Sequence, residues 1–250
     1  MPAPINVTAA VLVIGDEILS GRTKDKNIGY IAEYLAKIGV DLREARVVPD
    51  VEAEIVAALN ALRARYDYVL TTGGIGPTHD DITADAVARA FGVGIGEDPR
   101  AMAIMLERYA EADLTPARRR MTRIPDGADL VDNPISRAPG FRIGNVFVLA
   151  GVPSVMQAML DGAVREMRTG SVMQVESIEA GAVPEGRYGD PLTKIAADNP
   201  TVSIGSYPSF KDGKFNNQIV VRGKDAAAVQ AARSAIEAML ATIRADGKPL

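Results

Sequence analysis

The chain has 250 residues, of which 47% are hydrophobic and 24% charged. This composition is typical of a folded globular protein and excludes a disordered, collagen-like or coiled-coil chain. The formal net charge of −4 gives no general reason to bind nucleic acid or an anionic membrane, so neither is expected as a partner. Because the chain has no cysteine, disulfides, thiolate metal sites and a cysteine nucleophile are excluded. No run of about 18 apolar residues and no secretory signal pattern is present, so we expect a cytoplasmic protein.

Residues 1–170 show short apolar runs that alternate with segments of helical period, as far as about Met167. This alternation predicts an α/β domain with a mostly parallel sheet flanked by helices. The expected elements are a strand at 7–14, a helix at 28–38, a strand at 41–48, a helix at 51–62, a strand at 68–71 and a helix at 82–91. Residues 100–123 are expected to be helical with a break at Thr115-Pro116, followed by a hairpin across 141–149 and a helix from about Ser154.

Residues 171–250 have a different character and are predicted to form a second, small α+β domain. The expected order is strand, helix, strand, strand, helix. The helix is predicted to begin with Asp190 as its cap and Pro191 as its first residue. The two later strands are expected to flank a turn at Asp212-Gly213, and apolar residues spaced from Val229 to Ile243 predict a closing helix.

The most informative stretch is 71–83, Thr-Thr-Gly-Gly-Ile-Gly-Pro-Thr-His-Asp-Asp-Ile-Thr, at the carboxyl end of a predicted strand. Ligands of α/β proteins usually bind at such a place. Glycines allow close approach of the backbone, and the free N–H groups of the following helix favour an anion, most simply a phosphate. The stretch matches neither the Walker A motif nor the dinucleotide fingerprint. A simpler interpretation, a tight turn with Asp80, Asp81 or Thr83 as helix cap, stays open.

Acidic residues follow three of the predicted strands. Asp16 and Glu17 follow the first, Asp50 follows the second, and Asp80 and Asp81 follow the third. In a parallel sheet these loops open on the same edge. Carboxylates beside a phosphate would repel it unless a divalent cation lay between them. The pattern therefore indicates a metal-assisted phosphate site, although each residue taken alone is equally explained as a cap or a solvated loop residue.

Two basic features have alternative interpretations. His79, the single histidine, is placed to bind a phosphate or transfer a proton, or is a solvated loop residue. Arg118, Arg119, Arg120 and Arg123 form a cluster that is either a solvated helix face or an arm that reaches a nucleotide phosphate, including one bound to a neighbouring subunit.

Four motifs occur in order along the first 167 residues. They are Gly15-Asp16-Glu17-Ile18-Leu19 with Asn27, the stretch 71–83, Asn133-Pro134 with Ala138-Pro139-Gly140-Phe141, and residues 149–154. Together they resemble the molybdopterin-binding MoaB/Mog-like domain, in the form found in the competence/damage-inducible protein A (CinA) family. The small second domain is similar to the one that follows in that family.

The resemblance and the positions of residues in these loops together give the expected site. Asp81, Asp50 and His79 are the expected catalytic residues, and Asp50 and Asp81 are the expected ligands of a divalent metal (Mg²⁺, Mn²⁺ or Co²⁺). The residues expected to bind the pterin or nucleotide are Gly73, Gly74, Gly76, Thr78, Asp80, Thr83, Gly15, Asp16, Glu17, Asn27, Gly151 and Ser154. Molybdopterin is one expected ligand, and a homo-oligomer is the expected assembly.

The resemblance also implies activity. CinA-type members are associated with metal-dependent cleavage of ADP-ribose-type pyrophosphates, and a related domain of eukaryotic FAD synthases with FAD hydrolysis. Members of the wider family adenylylate molybdopterin or insert the metal, and a non-catalytic binding protein is a third alternative. Ala150 stands where proline is common, and Ser136-Arg137 stand where many members carry Gly-Thr. Since the sequence lacks the amidohydrolase domain of full-length members, deamidation of nicotinamide nucleotide is not expected.

Overall fold

The structure is a computed structural model that describes residues 4–211 and 214–246. The chain divides into two compact units, which meet in sequence between Gly170 and Ser171. One unit is 6–170, and the other contains 171–246 together with residues 4 and 5. Within the described residues, no helix combines the length and the apolar character needed to cross a bilayer.

The unit 6–170 is built on one six-stranded sheet. Its helices and strands are β1 (Val7–Ile14), α1 (Asp16–Leu19), α2 (Asn27–Lys37), β2 (Val40–Val48), α3 (Glu52–Arg63), β3 (Tyr68–Thr72), α4 (Thr83–Phe91), β4 (Ile95–Glu97), α5 (Pro99–Leu106), α6 (Pro116–Arg120), β5 (Arg123–Pro125), β6 (Asp129–Val131), β7 (Gly140–Ile143), β8 (Val146–Leu149) and α7 (Pro153–Ala163). The strand order is β2-β1-β3-β8-β7-β6. Strands β2, β1, β3 and β8 are parallel, whereas β7 and β6 are antiparallel. The predicted mostly parallel sheet flanked by helices is confirmed.

Strand β1 shows why this sheet is covered on both faces. Every residue of β1 except Thr8 is buried, as expected when helices pack on both sides. Because side chains alternate along a strand, Leu12 lies in one hydrophobic core with residues of α3 and α4. Val11 and Val13 lie in a second core with residues of α2 and α7. The sheet is therefore the middle layer of three.

The parallel strands end together at one edge of this sheet. Val13 of β1 pairs with Thr72 of β3, and Thr72 in turn pairs with Leu149 of β8. On the other side, Ile14 pairs with Val48 at the end of β2. The loops that follow these strands therefore open on the same edge, which is where the candidate site lies.

The segment 100–123 differs from its expectation. The helix before the predicted break ends at Leu106 and the one after it covers only Pro116–Arg120, so less of the segment is helical than predicted. Strands β4 and β5, which the sequence did not indicate, pair with each other in a two-stranded ribbon. The predicted cap at Thr115 is confirmed, because its hydroxyl oxygen accepts a hydrogen bond from the Arg118 N–H at 3.3 Å.

The second unit is a small α+β structure, as predicted. Its elements are β9 (Gln174–Gly181), α8 (Glu185–Asp198), β10 (Ser203–Tyr207), β11 (Phe210–Lys211), β12 (Lys214–Phe215), β13 (Asn217–Gly223) and α9 (Ala226–Ala245). Strands β10, β13 and β9 form an antiparallel sheet in that order, on which α8 and α9 pack through a shared core. The predicted turn at Asp212-Gly213 lies outside the described residues.

The predicted helix start at Asp190 is wrong. Helix α8 begins at Glu185 and continues through Pro191, although an internal proline removes one backbone hydrogen bond. Tyr188, in the turn before the proline, is only 1% exposed, and its hydroxyl lies 2.9 Å from the Ser206 hydroxyl. Burial of this side chain holds the earlier turn in helical conformation and outweighs the local preference of the proline.

Candidate functional site

A cavity of about 500 Å³ opens where the parallel strands of unit 6–170 end. Its walls come from the loop 73–76 after β3, the segment 150–153 that leads into α7, and Asn133 and Ser136 from the loop after β6. Glu17 of α1 completes one side. The volume lies within the range of sites that bind small molecules and cofactors.

Two glycines of the loop after β3 are required by its packing. Gly73 has φ of 103° and Gly74 has φ of 67°, conformations that other residues adopt at a cost. A Cβ atom at Gly73 would lie 2.1 Å from the Ile14 carbonyl oxygen, and one at Gly74 would lie 2.2 Å from Thr83 Oγ1. The backbone of the loop therefore packs directly against the end of β1 and the start of α4, and it forms part of the cavity wall.

Thr83 fastens this loop to α4. Its side chain is fully buried, its hydroxyl donates a hydrogen bond to the Gly73 carbonyl at 2.9 Å, and its N–H donates to the Gly74 carbonyl at 3.0 Å. A fully buried side chain does not reach a ligand in the cavity. Contrary to the expected direct contact with a pterin or nucleotide, Thr83 positions the residues that line the wall.

Asp81 lines the cavity and also braces the loop. Its Oδ2 accepts hydrogen bonds from the Thr78 N–H at 2.8 Å and from the Thr78 hydroxyl at 2.5 Å. A Cβ atom at Gly76 would lie 2.6 Å from the same oxygen, so the third glycine gives the carboxylate its space. Thr78 is thus engaged with Asp81 within the loop.

An acidic cluster forms where β1, β2 and β3 end. Asp50 Oδ2 accepts a hydrogen bond from the Asp16 N–H at 2.9 Å. Partial burial raises the pKa of Asp50, and the charges of Asp16, Glu17 and Asp80 raise it further, against the opposing effect of the Asp16 N–H. Three strand ends therefore bring these four carboxylates together, as the topology requires.

Asp50 and Asp81, the two predicted metal ligands, have different neighbours. Asp50 interacts most strongly with Asp16, Glu17 and Asp80, whereas Asp81 is engaged with Thr78. Among residues 4–211 and 214–246, no group of three or more histidine, aspartate or glutamate side chains is arranged to hold a metal ion. One or two carboxylates suffice for Mg²⁺ when phosphate oxygens complete its coordination, so these residues fit an ion shared with a ligand and not a site made of protein alone.

His79 and Asp80 are exposed and do not line the cavity. The side chain of His79 is 96% exposed, and its Nδ1 lies 3.9 Å from Asp80 Oδ1. Hydrogen bonding to Thr78 lowers the pKa of Asp80, opposite to the shift at Asp50. His79 is not one of the residues that line the cavity, so the structure gives its predicted catalytic role no support.

The segment before α7 is held against the glycine loop. The buried side chain of Asn27 donates a hydrogen bond from Nδ2 to the Gly151 carbonyl at 2.8 Å. A Cβ atom at Gly151 would lie 3.1 Å from the Gly73 Cα, so the two backbones nearly touch. Asn27 therefore positions this wall. Ser154 is exposed in the first turn of α7 and does not line the cavity.

The loop after β6 contributes residues that were absent from the predicted site. Asn133 is buried, and its Nδ2 donates to Ser136 Oγ at 2.6 Å and to the Ala138 carbonyl at 2.8 Å. Arg137 has φ of 63°, the one positive value outside glycine among the described residues, and it pairs with Glu107. The Asn-Pro pair at 133–134 was the available signal, because asparagine bonds readily to its own turn.

Comparison with known proteins gives the class. Residues 10–169 match a family described as "Probable molybdopterin binding domain", and residues 177–246 match one described as "FAD synthase, middle domain". A protein of Pyrobaculum calidifontis is 33% identical over 80% of each chain. The first match covers more than half of the sequence, so this is a protein of the molybdopterin-binding-domain class.

Further relatives define the family more narrowly. A CinA-like protein of Citrifermentans bemidjiense is 39% identical over 71% of this chain, which spans only 48% of that relative. The crystal structure of CinA from Thermoplasma acidophilum, described as having unknown function, has a TM-score of 0.60 and 36% identity, and covers 64% of this chain and 97% of its own. The chain belongs to the CinA family of MoaB/Mog-like proteins.

Proposed function

We propose that the protein binds a phosphorylated pterin or nucleotide in the cavity and hydrolyses a dinucleotide pyrophosphate of the ADP-ribose or FAD class with a divalent metal. The observation that carries the proposal is the cavity of about 500 Å³, whose walls join a tightly packed glycine loop to carboxylates from neighbouring strand ends. The likeness of residues 177–246 to the middle domain of FAD synthase supports a dinucleotide as substrate.

The glycine loop supplies the affinity for phosphate. Gly73 and Gly74 bring the backbone to the cavity wall, and α4 begins directly behind them at Thr83. Backbone N–H groups at a helix start carry partial positive charge and attract anions. Because Thr83 and Asp81 hold the loop in place before a ligand arrives, little ordering is needed on binding.

The negative charge of the acidic cluster explains why a cation is required. Asp16, Glu17, Asp50 and Asp80 would repel a pyrophosphate unless a divalent ion lay between them and the ligand. Asp81 and Glu17 line the cavity and Asp50 does not, so the ion would be held by Asp50 beside the cavity and by ligand oxygens. When bound, Mg²⁺, Mn²⁺ or Co²⁺ would offset the charge that develops during cleavage of the pyrophosphate. Asp50 also fixes the start of α1 through the Asp16 N–H.

The test is release of AMP from ADP-ribose and from FAD, with and without each of the three metals. We expect metal-dependent release by the wild-type protein. Asp50→Asn and Asp81→Asn should lower turnover at least about tenfold, or about 1.4 kcal/mol of transition-state stabilisation. Asp161→Asn is the matched control, because Asp161 accepts a hydrogen bond from the Tyr34 hydroxyl on an exposed surface. Absence of AMP under all conditions would contradict hydrolysis.

Two other functions are distinguished by the same assay. The match to a molybdopterin-binding domain favours adenylyl transfer to molybdopterin as the second candidate, and pterin-dependent release of pyrophosphate from ATP would support it. Ala150 and Ser136, where the sequence departs from its family, both line the cavity, which favours a binding protein without turnover as the third. Tight ligand binding with no product under any metal would support that candidate. We further propose a homo-oligomer, which light scattering tests.

A further inference from the structure

The arginine cluster in and after α6 is engaged within the protein at three of its four positions. Arg118 donates from Nη1 to the Asp113 carbonyl at 2.7 Å and lies over the ring of Tyr109, 4.5 Å from its centroid. Arg119 pairs with Glu97 of β4 at 3.2 Å. These two side chains therefore serve local structure on the surface.

Arg123 is also committed. Its guanidinium makes two hydrogen bonds to the carboxylate of Asp85 on α4, at 2.6 Å and 2.8 Å. Both side chains are about 30% exposed, at 30% and 29%. This forked ion pair joins β5 to α4, and the charge of Arg123 is paired within the protein.

Arg120 differs from its neighbours. Its Nε is buried and has no hydrogen-bond partner, and no ion pair joins its guanidinium to a carboxylate within the described part of the chain. A buried donor without a partner destabilises a protein, and native structures contain few of them. Such a donor is satisfied by an ordered water or by a bound ligand.

Arg120 lies next to the glycine loop. Arg120 lines a small cavity of about 20 Å³ with Gly74, Gly76 and Asp81, and the ion pair of Arg123 with Asp85 lines the same cavity. The residues 74–76, Asp81 and Met121 also line the cavity of about 500 Å³, so the two spaces share a wall. Arg120 is thus a cation beside the backbone that is proposed to receive a phosphate.

We propose that Arg120 is the phosphate-binding cation of this site, which rests on the proposed function above. A guanidinium presents planar N–H donors that match two phosphate oxygens at once. A phosphate seated on residues 74–76 would give these donors the acceptor that the protein itself does not provide. Within an otherwise acidic edge, Arg120 accounts for selection of a phosphate-bearing ligand over a neutral one.

The test compares AMP with adenosine in calorimetric titrations with Mg²⁺. Arg120→Gln should weaken AMP binding at least about tenfold and leave adenosine binding unchanged. Arg120→Lys, which keeps the charge but not the fork, should give an intermediate loss. Arg119→Gln is the control, since it removes only a surface ion pair with Glu97 and should leave the affinity for AMP unchanged.

A structural role makes a different prediction. If Arg120 only stabilised the fold, Arg120→Gln would lower the ligand-free melting temperature more than Arg119→Gln does, which would overturn the proposal. We expect the ligand-free melting temperature to stay the same, because Nε of Arg120 makes no hydrogen bond that the substitution would break. Equal AMP affinity in wild type and Arg120→Gln would overturn the role of Arg120 while the proposed function stands. A wild-type protein that binds neither AMP nor ADP-ribose would overturn the proposed function and this inference with it.

Discussion

Thr83→Val tests how the glycine loop is held in place. Valine has nearly the shape of threonine but cannot donate the hydrogen bond that Thr83 makes to the Gly73 carbonyl at 2.9 Å. The site is fully buried, so water cannot replace the lost donor without rearrangement. The Gly73 carbonyl is then left unsatisfied next to the cavity.

The expected loss of stability follows from this geometry. Leaving a buried acceptor unpaired costs about 1–3 kcal/mol, and in a unit of this size each kcal/mol lowers the melting temperature by about 2–4 °C. If the loop is less ordered in the free variant, binding must restore its order. The affinity for AMP then falls by about tenfold for each 1.4 kcal/mol of binding free energy that is spent on ordering the loop.

The assay is urea unfolding combined with calorimetric titration of AMP. Thr8→Val is the control in the same unit, because the Thr8 hydroxyl donates to Asp67 at 2.8 Å near the amino end of β1, far along the strand from the cavity. It should lower stability without changing the affinity for AMP. A Thr83→Val protein with wild-type stability and wild-type affinity would refute the role given to this hydrogen bond.

Three further predictions concern the same unit. Gly73→Ala should destabilise by several kcal/mol, since its φ is 103° and its Cβ would lie 2.1 Å from a β1 carbonyl oxygen, whereas Gly21→Ala, with open space around it, should lose only about 1 kcal/mol in urea unfolding. Asp98→Ala removes the cap of α5 and should lose about 1 kcal/mol at pH 7. Because hydrogen bonding lowers the pKa of Asp98 in the folded state, this difference should vanish as the pH falls through that pKa. The pKa of Asp50 is raised in the folded state, so ionisation of Asp50 disfavours folding. The stability that the neutral carboxyl group contributes is lost as the pH rises through that pKa. Asp50→Asn should therefore raise the melting temperature at pH 7, and this gain should shrink toward pH 4.

The layered sheet and the edge at which the cavity lies were predictable from the sequence. The apolar run of β1 requires cover on both faces, and alternation with helical segments requires parallel pairing. Once the strands are parallel, the meeting of Asp16 and Asp50 at one edge follows. Local pattern and topology were sufficient here because both depend on hydrophobic periodicity.

The assignment of individual side chains was not predictable in the same way. The sequence shows four neighbouring arginines but not which of them form ion pairs. The positions of Glu97 and Asp85 in the fold determine that Arg119 and Arg123 are paired. Both ion pairs involve the β4–β5 ribbon, because Glu97 lies on β4 and Arg123 on β5, and strands of three residues are too short to show a period. Thr83 likewise looks like a ligand contact until its burial is known.

Helix α8 illustrates tertiary packing that overrides a local signal. Asp190-Pro191 has the form of a helix start, yet the helix begins five residues earlier than Asp190, at Glu185. The buried Tyr188 decides the outcome. The core in which Tyr188 lies includes residues of β13 and α9, which are distant in sequence and which a local pattern does not contain.

A crystal structure of the protein with AMP and Mn²⁺ tests the central claim most directly, because anomalous scattering locates the metal independently of the nucleotide. We predict the phosphate on residues 73–76, within hydrogen-bond distance of the Arg120 guanidinium, and Mn²⁺ bound by Asp50 and a phosphate oxygen. A phosphate bound away from the glycine loop, or a metal with no ligand from the acidic cluster of Asp16, Glu17, Asp50 and Asp80, would contradict the account.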